Sequence, residues 1–359
     1  MVGAHHVSAG WARSPRFWIS GIALCLVAGI VAAAWPTVVD AARSLPLVNP
    51  WIMALLVPVQ LLSFAVTGEA LFSCLRARGE LRGMRPFTAM RMSLEFNFAN
   101  HMLPSGGAAG ITYASWKLSG MGVPAAKGTL AQLARFAVTF VSFSLMLLAA
   151  ATWLATSGQG TPLIMWSAAG VGALALAATG GGVLLLRRRR PLHRFAGVVV
   201  RVANWGGRVI GRPAGVRTEN VVRFFDGLHV ELMEILRSPR ALRAPFAWSF
   251  LVHVCDAGLF WVALAAFGMR ADPALVFVAY GLATVVSMVV TTPNGVGGYE
   301  VVMIGLLASG GLPNALVLAA ITLARAILLV GTIAFGWAFY QHSVARGGRR
   351  AALAPGRDG

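Results

Sequence analysis

Thr292-Pro293-Asn294-Gly295-Val296-Gly297-Gly298-Tyr299-Glu300 sets two kinds of helix breaker and one acid inside an apolar stretch. An earlier segment, Leu103-Pro104-Ser105-Gly106-Gly107-Ala108-Ala109-Gly110, repeats the pattern, with its proline 189 residues before the later one. Past each motif comes Gly-x-Pro, as Gly122-Val123-Pro124 and Gly311-Leu312-Pro313, and then Leu133-Ala134-Arg135 and Leu323-Ala324-Arg325. Gly/Pro pairs recur by chance in a chain with 41 glycines, but three landmarks in one order favour an internal repeat. Matching interruptions in the two halves of an apolar chain point to a site lined by broken helices.

The background is a membrane background. Hydrophobic residues make up 57% of the 359, charged residues 12%. Six apolar stretches, 17–39, 51–75, 133–155, 163–186, 245–269 and 315–340, reach the ~20 residues that cross a bilayer core. The first is too long for the apolar core of a signal peptide. Two weaker regions, 87–118 and 273–311, hold the repeated motif.

A net charge of +18 raises the possibility of a nucleic-acid partner, but the basic residues flank apolar spans and form no basic domain, so no nucleic acid is expected. Orientation accounts for them. With both termini cytoplasmic and each motif region dipping in and returning to its own side, 25 of the 30 Lys and Arg fall in cytoplasmic segments. Only Arg43 and Arg270 face outward; Arg91, Arg135 and Arg325 lie in or beside apolar segments. The expected fold is therefore an all-α polytopic membrane protein with six full spans plus two re-entrant helical hairpins in an inverted repeat. Residues 1–16 form a cytoplasmic N-terminus, 17–156 the first repeat, 163–340 the second with a basic cytoplasmic insertion at 187–243, and 341–359 a disordered basic tail. The implied location is the cell (inner) membrane.

Within the insertion, Arg194, Arg201 and Arg208 recur every seven residues beside Phe195, Val198, Val199, Val202 and Trp205, as in a helix lying among headgroups. Val221, Val222, Phe225, Leu228, Leu232 and Ile235 form a second such face. Lipid capture and a plain positive-inside loop resting on the membrane both fit this pattern. Cys25, Cys74 and Cys255 all sit in apolar spans without metal-ligand spacing, so no metal is expected.

A Pro-x-Gly break at membrane depth frees backbone groups that only protein or a wet cavity can satisfy. The turns at Pro104, Gly106, Gly107 and at Pro293, Asn294, Gly295, Gly297, Gly298 thus mark buried polar sites. The half-helix after each turn offers N–H groups and a positive dipole end, which suits an anion such as a lipid phosphate. Arg135 and Arg325 are costly inside spans and need a phosphate or an acid such as Glu300. Glu300 is the best single candidate for a gating, proton-linked or cation-binding role. Before the first turn, Asn97, Asn100 and His101 are expected to line the same cavity, although a lone histidine is more often structural. Glu69, Asp256 and Glu95 are candidates for gating or ion coupling; Asp256 has His253 three residues before it. No nucleotide loop, nucleophile elbow or zinc helix is present in the sequence, so no cofactor and no catalytic residue are expected.

From about residue 55 to 340 the chain resembles the lysylphosphatidylglycerol synthase transmembrane-region family, also called flippase-like membrane proteins. The resemblance rests on Asn100-x-x-Leu-Pro-Ser-Gly-Gly and on Pro293, Gly295, Gly297 and Glu300, which match the family's Pro-x-Gly-x-Gly-x-x-Glu. Relatives often carry an acid after the first glycines, where this chain has Gly110, Ile111 and Thr112, so a symmetric pair of acids is not expected. In bifunctional members this region moves an aminoacylated phospholipid while a soluble domain makes it. No such soluble domain is read in the sequence, so synthesis is not the expected activity. The resemblance implies a transporter of a phospholipid or polyprenyl-type lipid, with a separate lipid-modifying enzyme as a possible partner. The alternatives are a membrane-embedded headgroup transferase, for which the insertion offers only Glu219, Asp226, Glu231 and Glu234, and a non-transporting partner of an envelope enzyme.

Overall fold

The computed structural model describes residues 48–102, 108–158, 160–209, 217–289 and 297–352. Every regular element among them is helical. Five helices are long and apolar enough to cross a membrane: Pro50–Arg76, Lys127–Thr156, Ile164–Arg187, Arg240–Ala266 and Asn314–Gly336. They coincide with five of the six stretches read from hydropathy; the stretch 17–39 lies outside the described residues.

The chain begins with α1 (Pro50–Ala54) and α2 (Leu56–Arg76), continuous but for Leu55. Asn49 starts them: its side chain accepts from Trp51 N at 3.1 Å, and Pro50 follows at a position where a missing N–H costs nothing. Then come α3 (Pro86–Met102), α4 (Ala108–Ser119), α5 (Ala125–Thr156) and α6 (Pro162–Arg187). The insertion forms α7 (Arg189–Val209) and α8 (Thr218–Arg237). A short tight turn at Pro239–Leu242 leads into α9 (Arg243–Ala266), α10 (Pro273–Val289), α11 (Gly298–Ser309) and α12 (Asn314–Ala352). The last helix runs twelve residues past position 340, into the segment whose composition had pointed to a disordered tail.

The order α2-α3-α4-α5 recurs as α9-α10-α11-α12, each start 187 to 190 residues later. Two turns recur in both halves. Gly122 (φ 83) and Gly311 (φ 92) end α4 and α11 in the left-handed conformation that glycine adopts without Cβ strain. In these turns Val123 N donates to Leu118 O at 3.1 Å and Leu312 N to Leu307 O at 3.3 Å. The second pair was not read from the sequence: Gly79 (φ 83) closes α2 and Gly268 (φ 75) closes α9. There Glu80 N reaches Leu75 O at 3.0 Å and Met269 N reaches Leu264 O at 3.1 Å.

The two motif regions are antiparallel helical hairpins. In α10–α11, Gly310 at the end of the second helix lies against Leu275 at the start of the first. In α3–α4, Tyr113 and Lys117 both reach back to Glu95. Their helices, 17 and 12 residues long in each hairpin, span about 25 and 18 Å at 1.5 Å per residue, short of the ~30 Å of a hydrocarbon core.

Contacts at the helix ends show where each hairpin starts. One end of the bundle, the basic end, gathers Lys127 with Glu80 (2.8 Å), Arg78 near Glu234 (3.8 Å) and His229 on Leu186 O (2.8 Å). The opposite end gathers Asn49 N on Ala266 O (2.8 Å) and Trp153 Nε1 on Asp272 (3.2 Å). The α3–α4 hairpin begins and finishes at the basic end, and the α10–α11 hairpin at the opposite end. Packing follows the same exchange: α3 lies on α12, α10 lies on α5, and α2 and α9 run together at the centre. Small residues allow the closest approaches, as expected where lipid surrounds the helices. A Cβ on Gly68 of α2 would stand 2.7 Å from Ala89 O of α3, so the two backbones touch there.

Candidate functional site

The second hairpin brings Glu300 and Arg325 together. Glu300 lies in the first turn of α11, where a carboxylate meets the positive end of the helix. One oxygen accepts from Gly297 N at 2.7 Å, and the other pairs with Arg325 Nη1 from α12. Gly297, at φ 93, takes a backbone conformation that side-chain-bearing residues rarely adopt, and this aims its N–H at Glu300. The Arg325 guanidinium also lies over the Tyr299 ring, 4.4 Å from its centroid. Of the two partners read from the sequence for Arg325, a phosphate or an acid such as Glu300, the structure holds the acid.

Arg325 and Tyr299 line a cavity of about 290 Å³ shared with Asp256, Tyr280, Thr284, Ser287 and Thr332. Asp256 accepts from Ser63 Oγ at 2.5 Å and from the Tyr280 hydroxyl at 3.1 Å. Gln60 donates to Leu328 O at 2.7 Å and to Thr332 Oγ1 at 3.1 Å. The lining itself comes from the second repeat, and α2 supports it from behind, Ser63 bonding to Asp256 and Gln60 to Leu328 and Thr332. The wall carries both signs, the Arg325 guanidinium and the Asp256 carboxylate, and Glu300 pairs with that guanidinium beside it. Such a cavity suits a polar headgroup or a proton better than an apolar ligand. His253 takes no part, since its Nε2 donates to Thr139 O at 3.0 Å.

In the first hairpin the buried acid is Glu95, wholly enclosed. It accepts from the Tyr113 hydroxyl at 2.9 Å and pairs with Lys117 at 3.1 Å and Arg91 at 3.4 Å. Lys117, counted from sequence among loop cations, is a helical residue turned inward. Arg135 occupies the position equivalent to Arg325 in a different setting. Its Nε is buried without a hydrogen-bond partner, no carboxylate pairs with it among the described residues, and its guanidinium rests 4.4 Å from the centroid of the Phe136 ring.

Other candidates sit elsewhere. Glu69 pairs with Arg76 on its own helix, two turns away, and so does not share the Asp256 cluster despite the matching position. Asn97 and Asn100 lie on the last turns of α3, with side chains outside the described residues. Pro104, Gly106, Gly107, Pro293, Asn294 and Gly295 also lie outside them, while Gly298 opens α11. No group of residues among those described has the makings of a metal site.

Sequence reasoning missed Tyr113, Tyr280 and Tyr299, although a signal was available. The chain has only four tyrosines, and three of them fall in the broken-helix regions. A phenol in lipid-depth sequence needs a polar partner.

The family described as Lysylphosphatidylglycerol synthase TM region matches residues 12–336. No curated protein and no solved structure matches the chain.

Proposed function

The chain belongs to the Lysylphosphatidylglycerol synthase TM region family of integral membrane proteins, and from that premise we propose that it moves a phospholipid or other lipid-linked anionic substrate between leaflets. The observation that carries the reading is the pair of short hairpins starting from opposite ends of the bundle, each followed by an arginine at the same repeat position. In this reading the basic end is cytoplasmic, the hairpins re-enter the bilayer from either side, and exchange between two arrangements of the repeats gives alternating access.

The two arginines then have separate tasks. Arg135 is open and receives the substrate phosphate from the cytoplasmic side. Arg325 is closed by Glu300, and a phosphate reaches it only when that carboxylate moves away or takes a proton. Asp256, hydrogen-bonded but without a cation partner among the described contacts, is the second group able to take a proton in the cavity. No nucleotide motif is present in the sequence, so the driving force is the lipid gradient, an ion or a proton.

Movement of fluorescent phospholipid in liposomes containing the purified protein tests the reading. Arg325→Ala should abolish movement with the protein still inserted. Arg325→Lys should restore it in part, because an ammonium keeps the charge and loses bidentate geometry. Arg135→Ala should also abolish it. Wild-type rates in all three variants would overturn the proposal. A cysteine at Ser238 that reacted with an impermeant reagent from the outer face of intact cells would overturn the orientation.

A further inference from the structure

The α7 helix carries arginines for which no carboxylate partner stands among the described residues. Arg189, Arg190, Arg194, Arg201 and Arg208 lie on it with no acidic residue. Its neighbour α8 contributes one ionic contact among the described residues, His193 to Asp226 at 2.8 Å. Leu192, Ala196 and Val200 are buried on one face of α7, and Phe195 meets Phe225 of α8 edge to face at 5.8 Å. A second apolar face has no partner: Val198, Val202 and Trp205 are 44%, 60% and 64% exposed. At helical spacing Arg190, Arg194 and Arg201 form a row along one edge of that ridge.

The place of α7 is set by its neighbours. At 26 residues, α6 is about 39 Å long, so its end passes the ~30 Å hydrocarbon core and reaches the headgroup layer. One extended residue, Arg188, separates it from α7. The platform is fixed there, because the His229 ring donates to Leu186 O at the end of α6, and Leu228 and Leu232 pack on Leu130 of α5.

We propose that this ridge is a docking surface for the anionic headgroup layer of the membrane. Val198, Val202 and Trp205 dip below the headgroups while the arginine row binds lipid phosphates. The inference is independent of whether the protein moves lipid.

Hydrogen exchange over residues 193–205, measured on the full chain in nanodiscs of phosphatidylcholine alone or mixed with phosphatidylglycerol, tests it. Protection should rise with phosphatidylglycerol. Arg194→Gln with Arg201→Gln should reduce that gain roughly 30-fold, at about a factor of five per surface arginine. Val198→Ser with Val202→Ser should reduce protection in both lipids, and unchanged exchange in α5 and α9 shows that each variant is folded. Equal exchange in the two nanodiscs would overturn the proposal. So would protection produced by a soluble RNA or acidic peptide and not by phosphatidylglycerol.

Discussion

Arg325 and Arg135 stand at equivalent positions of two repeats and meet opposite surroundings. Arg325 has a carboxylate, a tyrosine ring and a polar-lined cavity; Arg135 has a phenylalanine ring and a buried Nε without a partner. The difference arises 25 residues earlier in each half. The turn after the second motif supplies Glu300, whereas the matching stretch of the first reads Gly110, Ile111, Thr112. A repeated backbone thus holds two unlike electrostatic sites, one internally neutralised and the other without a carboxylate among the described residues.

The strongest way to break this comparison is to remove each arginine in turn and measure stability in detergent. Arg325→Ala strands Glu300 without its cation and should cost on the order of 3 kcal/mol. Arg135→Ala removes a poorly paired guanidinium and should leave stability unchanged or raise it by about 1 kcal/mol. Equal losses would erase the distinction. Supplying the missing acid should have the next largest effect. Gly110→Glu should pair with Arg135 and slow lipid movement about tenfold, with Gly110→Gln as the size-matched control; equal rates for the two would break the equivalence of the halves.

Glu300→Gln separates the two tasks of that side chain. The amide oxygen still accepts from Gly297, so helix capping survives while the ion pair is lost. The expected cost is about 2 kcal/mol, against about 3 kcal/mol for Glu300→Ala, which loses the cap as well. At the basic end, Arg78 is well buried and Glu234 exposed at 3.8 Å. Burial pushes the Arg78 guanidinium down from the usual arginine value, and Glu234 pulls it back up. Glu234→Ala should nevertheless change stability by about 1 kcal/mol or less, since solvent screens such a pair.

The parts of this molecule legible in the sequence are those that break helices. Pro104, Pro293, Gly122 and Gly311 announce a change of direction by backbone chemistry alone, so hairpin positions and the repeat could be read locally. The Gly79 and Gly268 turns escaped because their neighbours, Arg78 and Glu80 against Phe267 and Met269, share nothing. The role of Glu300 as a cap was half visible, since an acid three residues into a helix is a local signal. The Ser63–Asp256 bond was not visible, because the partners are 193 residues apart and, although Asp256 stood out as an acid at membrane depth, no local pattern joins it to Ser63. Equivalence in sequence also misled. Glu69 and Asp256 occupy matched positions, yet Glu69 is neutralised by Arg76 two turns along its helix, while position 263 in the second repeat is alanine.

The long reach of Gln60 bears on how the protein is made. Its amide bonds to Leu328 and Thr332, the farther of them 272 residues later in the chain. At roughly 5 to 20 residues per second of synthesis, those partners leave the ribosome about 14 to 54 seconds after Gln60 does. Throughout that interval the Gln60 amide waits for its partners, and the Ser63 hydroxyl waits for Asp256 over the first 193 residues of it, and hydrocarbon is a poor place for either to wait. The first half is therefore expected to stay with the insertion machinery while the second half is translated, and a ribosome stalled after α5 should leave α2 held at the insertase instead of released into lipid.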